Sequence, residues 1–387
     1  MHKIKTLNKI AKIGTDILDP QKYEVGDELD GASGILVRSA KMHEYPMNPE
    51  LLCIARAGAG VNNIPLDVCS EKGIVVFNTP GANARAVAEL AICAILMASR
   101  DIVGGINWVD TIKDDPEVAA KVEKGKSQFV GPEIFGKRLG VIGLGAIGCK
   151  VANLAVGLGM EVFGYDPYIS TKAAWQLSSD VQYTASVENI FRQCDYISLN
   201  VPVGEHTRGM INADAIALMK PGVRIINLAR AELVNDVDMT DALEADKVGC
   251  YVTDFPTAQT AGAKGVIAIP HLGASTPESE DNCAVMAAEE MRDYLEHGNI
   301  KNSVNFPSAY LEPAGRVRVT LLHENIPAVM GGVLKVISDH GINVENMVNK
   351  SRDALAYTII DVNTAVGDDL IRKMEQVTGM LRVRVIG

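Results

Sequence analysis

The sequence predicts an α/β protein with three parts: a Rossmann domain inserted in a flavodoxin-like domain, followed by a C-terminal ferredoxin-like βαββαβ domain. Three observations carry that prediction. Short apolar runs rich in β-branched residues alternate with helical patterns through most of the chain, as parallel βαβ units require. A glycine-rich turn joins one such run to a helix near residue 143, far from the N-terminus. Over residues 301–316 the periodicity breaks at Asn302, Asn305, Pro307, Pro313 and Gly315, and then restarts in a new order.

Composition agrees with this class. The 387 residues are 47% hydrophobic but only 5% aromatic, so the cores must be aliphatic, and 35 glycines allow close backbone packing. Length alone suggests two or three domains. Lys and Arg number 37 against 48 Asp and Glu, a net charge of -11 with no basic run. That balance argues against nucleic acid or an anionic membrane as partner. Met1 to Ile13 holds four lysines and no apolar core, unlike a signal peptide. The longest apolar stretch, Ala86–Ser99, is interrupted by Glu89 and too short to span a bilayer. Seven scattered cysteines without a Cys-x-x-Cys pair read as buried, reduced thiols of a cytoplasmic protein, and no metal site is expected.

In chain order, the expected strands include Gly34–Arg38, Leu52–Arg56, Val75–Asn78, Arg138–Ile142, Glu161–Tyr165, Tyr196–Asn200, Arg224–Leu228 and Val266–Ile269. Helices Ala84–Ser99 and Ile147–Leu158 fall between them, and a long amphipathic helix, Ser275–His297, closes the series. Because the glycine-rich turn comes so late, residues 1–98 and 283–308 are expected to form one discontinuous domain, with 99–282 inserted. Residues 316–387 then read as strand Arg316–Leu322, helix Pro327–Asp339, strands Asn343–Val348 and Ala356–Val362, a helix near Asp368–Thr378 and strand Leu381–Ile386.

The turn is Gly143-Leu144-Gly145-Ala146-Ile147-Gly148. G-x-G-x-x-G alone is a weak signal, but here a strand precedes it, a helix follows, and the next strand ends in Asp166. Gly143 suits the tight turn, Gly145 an approaching pyrophosphate, and Gly148 close helix–strand packing; the helix N-terminus favours phosphate. A carboxylate at Asp166 can accept from ribose hydroxyls and would repel a 2′-phosphate, and Pro167 and Tyr168 offer no cation. NAD is therefore favoured over NADP.

Three further segments place polar residues just after expected strands, where doubly wound sheets hold ligands. They are Arg56-Ala57-Gly58-Ala59-Gly60, Asn227-Leu228-Ala229-Arg230 and Pro270-His271-Leu272-Gly273-Ala274. With Asn78-Thr79-Pro80-Gly81 and the glycine turn, they occur in the order found in the D-isomer-specific 2-hydroxyacid dehydrogenases, which the chain resembles from about Gly34 to Pro307. The resemblance implies that His271 is the catalytic base and Arg230 the carboxylate-binding cation. Both roles suit the groups: imidazole titrates near neutrality, and guanidinium engages a carboxylate by two hydrogen bonds. Substrate contacts are expected at Arg56, Ala57, Gly58 and Asn78, with Lys124 and Lys126, shortly before the strand that leads into the glycine turn, as candidates for a substrate phosphate. Cofactor contacts are implied at Val201, Pro202, Thr207, Leu228, Ala229, Asp254, Gly273 and Ala274.

One departure stands out. The family pairs its histidine with a glutamate in an Asp-Val-Phe-x-x-Glu-Pro-like segment; here the segment reads Asp254-Phe255-Pro256-Thr257-Ala258-Gln259, and nothing acidic lies between Asp254 and His271. Aligning Asp254 with the family aspartate puts Gln259 at the glutamate position. Glutamine can orient an imidazole but supplies no charge. Asp254 substitutes, a carboxylate from elsewhere does, or His271 works unpaired.

Residues 316–387 resemble an ACT domain, a module that binds amino acids. His323, Asn325 and Asn343 match the pattern by which related enzymes bind L-serine as effector. With this module added, the whole chain is similar to the branch of the family that oxidises 3-phosphoglycerate with NAD, and a homodimer or homotetramer is expected. A dehydrogenase for another 2-hydroxy acid, such as 2-hydroxyglutarate, and a non-catalytic NAD(H)-sensing protein stay open as alternatives.

Overall fold

The computed structural model describes residues 1–312 and 317–387. Pro313 and Gly315 of the expected break, and the first residue of the expected strand Arg316–Leu322, lie outside them. The described chain divides into two compact units, residues 1–82 with 277–387 and residues 83–276. The changes of unit fall at 82/83 and 276/277, against the sequence expectation of 98/99 and 282/283. The reason is the helix Ala84–Ser99, whose buried Ala88, Ala91, Ala94 and Ile95 share a core with Val151, Ala152 and Ala155 of the helix Gly148–Gly157. Its small residues commit it to the second unit.

The first unit holds a five-stranded parallel sheet, with strands His2–Leu7, Tyr23–Gly26, Gly34–Val37, Cys53–Arg56 and Val75–Phe77 in the order 2-1-3-4-5. This is the flavodoxin-like order expected. The strands Gly34–Val37, Cys53–Arg56 and Val75–Phe77 are almost wholly buried. The long helix Pro277–His297 contributes Cys283, Ala287, Met291, Tyr294 and Leu295 to the core on this sheet.

The C-terminal module adopts the expected βαββαβ order: strands Val317–Glu324, Val344–Arg352, Leu355–Val362 and Met380–Ile386, helices Val329–Asp339 and Asp368–Glu375, and one antiparallel sheet in the order 2-3-1-4. One face packs on its own helices. Leu322, Tyr357 and Ile359 join the core of the first sheet, so the module clusters with the first unit.

Its charged residues cap the helix Pro277–His297, whose last carbonyls lack helical partners. Arg384 donates to the carbonyls of Tyr294 at 3.4 Å and Leu295 at 3.2 Å, with its guanidinium 4.7 Å from the Tyr294 ring. The Tyr357 hydroxyl donates to the Gly298 carbonyl at 2.6 Å. Arg318 forms a buried fork with Asp361, at 2.7 and 3.0 Å, and donates to the carbonyls of His297, Leu311 and Glu312.

On the same helix, Glu290 is 6% exposed. One oxygen accepts from Asn302 Nδ2 at 2.6 Å and the other has no partner. Burial pushes this carboxyl up to about 7, against the pull of Asn302 and Lys301. The fold therefore holds the proton more tightly than the unfolded chain does. Stability present below the ordinary value of 4.5 is lost as pH rises through about 7, on the order of 3 kcal/mol. Glu290→Gln keeps the bond from Asn302 and is expected to flatten the fall in unfolding temperature over this window. An equal fall in the variant would contradict the assignment.

The second unit holds a seven-stranded parallel sheet: Arg138–Ile142, Glu161–Tyr165, Gln182–Tyr183, Tyr196–Leu199, Val223–Asn227, Val248–Thr253 and Val266–Ala268. Numbered within the unit, they run 3-2-1-4-5-6-7, the Rossmann order with one strand added. Ala84–Ser99 and Gly148–Gly157 pack in one core, and helices Val187–Gln193, Ala213–Leu218 and Asp236–Glu244 in another. Among the described residues, no helix is long and apolar enough to cross a membrane.

Candidate active site

Because all seven strands of the second unit are parallel, their C-terminal ends lie along one edge, and the expected site residues fall there. Gly143 follows the first strand, Asp166 the second, Val201 and Pro202 the fourth, Leu228 to Arg230 the fifth, Asp254 the sixth and His271 the seventh. The switch in strand order lies between the first and fourth, where open α/β sheets bind ligands.

The glycine turn is built as the spacing implied. Gly143 has φ +90°, and a Cβ there would lie 2.5 Å from the Asn200 carbonyl oxygen and 2.7 Å from Val201. A Cβ on Gly148 would lie 1.8 Å from the Gly143 carbonyl oxygen, whereas one on Gly145 would meet nothing within 4 Å. Gly145, Ala146 and Ile147 are at least partly open to solvent. Two results follow from this difference. Gly145→Ala is expected to leave the unfolding temperature unchanged and weaken NAD binding at least tenfold, since its Cβ occupies only space the pyrophosphate needs. Gly148→Ala is expected to lower both. Equal thermal losses in the two variants, with NADH affinity read by fluorescence titration, would contradict this.

Asp166 closes the turn. One carboxylate oxygen accepts from the Leu144 N–H and the other from the Tyr168 N–H, each at 2.8 Å; each oxygen keeps a further acceptor site. Thr207 staples its own loop, donating to the Pro202 carbonyl at 2.6 Å and accepting from the Gly204 N–H at 2.8 Å.

Arg230 is exposed, and its loop hangs on Asn227, a fully buried residue not singled out from sequence. The Asn227 amide donates to the Arg230 carbonyl at 2.8 Å and accepts from the N–H groups of Ala229 and Arg230. An amide at a strand end, three residues before Arg230, was the available signal. Phe255 was missed as well: its ring centroid is 4.4 Å from that of His271 and 5.7 Å from Arg230 Cζ. The structure thus brings Arg230 and His271 to one aromatic ring.

Asp254 is 1% exposed, and neither carboxylate oxygen has a hydrogen-bond partner. Burial raises its pKa, opposed in turn by the charge of His271, the nearby N–H groups of Asp254 and Gly273, and Arg230. A buried acceptor without a donor suits a ligand amide, so this pair of oxygens fits a nicotinamide carboxamide. Gly273 is the neighbour whose missing side chain leaves room there, a Cβ on it lying 3.5 Å from Asp254 Oδ2; Ala274 follows, half-buried. Gln259, at the expected glutamate position, is exposed and donates to Thr240 Oγ1 at 3.2 Å, on the helix Asp236–Glu244.

In the first unit, Arg56 and Asn78 end neighbouring strands, and their loops are tied by Thr79 N–H to Gly58 O at 3.1 Å and Asn78 Nδ2 to Ala59 O at 2.5 Å. The N–H groups of Ala57 and Gly58 are already committed, to the carbonyls of Val37 and Arg56. Those two donors are therefore occupied, and Arg56, half-buried with Nε on the Arg38 carbonyl, is what this loop offers an anion. Lys126 sits on the exposed turn Lys126–Phe129, paired with Glu123, and not at a strand end.

The three expected effector residues do not meet within one chain. His323 is buried; its Nδ1 donates to the Glu324 carbonyl at 2.8 Å and Nε2 lies 2.9 Å from Thr358 Oγ1. Asn325 Nδ2 donates to the Asp353 carbonyl beside it at 3.0 Å. Asn343 instead precedes the strand start Val344, which pairs with Val362, whereas His323 pairs with Ala356. Six residues of strand, about 20 Å, separate the two ends.

Residues 92–273 match the family profile described as D-isomer specific 2-hydroxyacid dehydrogenase, NAD binding domain. The chain is 31% identical over 353 residues to the D-3-phosphoglycerate dehydrogenase of Escherichia coli (strain K12), covering 87% of this chain and 82% of that protein. Among solved structures it is similar to NAD+-bound 3-phosphoglycerate dehydrogenase of Entamoeba histolytica, with TM-score 0.59 and 28% identity over 80% of this chain and 99% of that one. It shares the fold of D-2-hydroxyisocaproate dehydrogenase, with TM-score 0.64 and 23% identity, covering 79% of this chain and 100% of that one.

Proposed function

Because the chain belongs to the D-isomer-specific 2-hydroxyacid dehydrogenases, NAD-dependent enzymes, we propose that it oxidises 3-phosphoglycerate to 3-phosphohydroxypyruvate, the first step of L-serine biosynthesis, in the cytoplasm. The observation that carries this reading is the placement of His271 and Arg230 against Phe255, beside the buried, partnerless Asp254 at the sheet edge. The similarity to D-3-phosphoglycerate dehydrogenase over 87% of the chain supports the choice of substrate.

Arg230 binds the substrate carboxylate through its planar fork, fixing the carbon that bears the hydroxyl. His271 takes the hydroxyl proton as the carbon–hydrogen bond breaks. A nicotinamide cofactor would supply the hydride acceptor for that carbon. Asp254 would receive the carboxamide of the cofactor, and Gly143 to Gly148 with Asp166 would hold its pyrophosphate and ribose.

Steady-state NAD reduction with 3-phosphoglycerate and 2-hydroxyglutarate tests the substrate. A kcat/KM at least tenfold higher for 3-phosphoglycerate is expected; the reverse order would assign the chain to the other acid. A non-catalytic NAD(H)-binding role draws only on the missing acid partner of His271.

The C-terminal module is proposed to be an ACT domain that binds L-serine through His323, Asn325 and Asn343. Since these do not meet in one chain, the effector site then needs two copies, and serine binding and homo-oligomerisation are one proposal. Isothermal titration with serine, with the mass in solution measured alongside, tests it. A serine-binding monomer or a serine-blind dimer would overturn it.

A further inference from the structure

Gln259 turns to Thr240, and no side chain bonds to the Asp254 carboxylate, so among the described residues no carboxylate holds the His271 ring by a hydrogen bond. What the imidazole touches is Phe255, at 4.4 Å between centroids and 50° between planes. Arg230 lies over the same ring at 5.7 Å.

The Phe255 segment is braced on both sides. The Phe255 N–H donates to Thr253 Oγ1 at 3.1 Å. Two residues on, the Thr257 hydroxyl donates to Asp236 Oδ2 at 2.7 Å and its N–H to Thr260 Oγ1 at 2.9 Å. The ring is half-buried and fixed relative to the sheet edge.

An aromatic ring carries negative charge on its face and attracts cations placed near it. His271 becomes a cation when it accepts the substrate proton. We propose that Phe255 is a positioning residue for the hydride-transfer reaction: it sets the angle of the His271 ring, stabilises its protonated form through its π-electrons where the family would use a glutamate, and spaces His271 from Arg230. The proposal rests on the reading of His271 as the base. The charged groups near His271 are Asp254, whose carboxyl feels the His271 charge, and Arg230, which lies over the same Phe255 ring. Both remain when only the Phe255 ring is changed.

The test compares Phe255→Leu, which removes the ring at similar volume, with a trifluorinated phenylalanine at 255, which keeps the shape and empties the face of charge. The primary readout is the titration of the His271 imidazole by proton NMR in the full chain, identified among the seven histidines by its loss in His271→Asn. Both changes are expected to lower the pH at which the ring titrates by about half a unit. The acid limb of kcat/KM is expected to move the same way, with kcat lower and the KM for NAD unchanged; Phe255→Tyr is expected to restore wild-type behaviour. If the imidazole titrates at its wild-type pH in the fluorinated protein, the proposal is overturned, whatever Phe255→Leu does to folding. If wild-type protein reduces no NAD, the functional reading fails, and the NMR titration still decides the role of Phe255.

Discussion

His271→Ala is expected to lower kcat with 3-phosphoglycerate by about 10²- to 10⁴-fold, the usual contribution of a general base. The KM for NAD is expected to stay within a factor of about two, because the pyrophosphate turn and Asp166 lie after other strands of the sheet. His271 is exposed, and its ring contact is with Phe255, so the substitution removes little packing and the unfolding temperature should hold. Steady-state kinetics with a parallel thermal melt separate these effects. A kcat within tenfold of wild type would remove His271 from the chemistry.

The second large effect is on stability. Arg318→Met is expected to destabilise the chain by about 3–5 kcal/mol, because it leaves Asp361 charged, buried and without its partner. The fork between them is 5% and 2% exposed by side chain, so water cannot replace the missing guanidinium. The same substitution removes donors from the carbonyls of His297, Leu311 and Glu312. Arg318→Met combined with Asp361→Leu is expected to recover much of the loss, since paired apolar replacement of a buried ion pair is often tolerated. Denaturant unfolding of the full chain measures both. A loss below about 1 kcal/mol in the single variant would show that Asp361 finds other compensation.

What the sequence made legible was local. The turn from Gly143 to Gly148 and Asp166 could be read because a strand, a turn and a helix impose their constraints within a few residues. The eight strands read from sequence over residues 34–269 recur within one or two residues of their expected ends, since parallel strands buried on both faces are continuous apolar runs. The strand His2–Leu7 is the opposite case. Only Ile4 is buried along it, and the alternating lysines show no apolar run, so its place beside Gly34–Val37 is set by pairing.

The candidate site could be named by residue but not by partner. His271 and Arg230 were found from motif order, yet their common contact, Phe255, follows from the path of the chain after the strand Val248–Thr253. Gln259 stands at the glutamate position by count, but its amide is used on Thr240 of a neighbouring helix. Asn343 matched an effector pattern by spacing, while strand register puts it at the far end of the sheet from His323. In each case the deciding contact joins segments whose relation only the fold specifies.

The most direct test of the whole reading is NADH formation by the purified full chain supplied with NAD and 3-phosphoglycerate, with NADP and His271→Ala run alongside. NADH accumulating with NAD, at least tenfold less reduction with NADP, and near-complete loss in His271→Ala are the expected results. No cofactor reduction by wild-type protein with 3-phosphoglycerate or any other D-2-hydroxy acid, or undiminished turnover in His271→Ala, would contradict it.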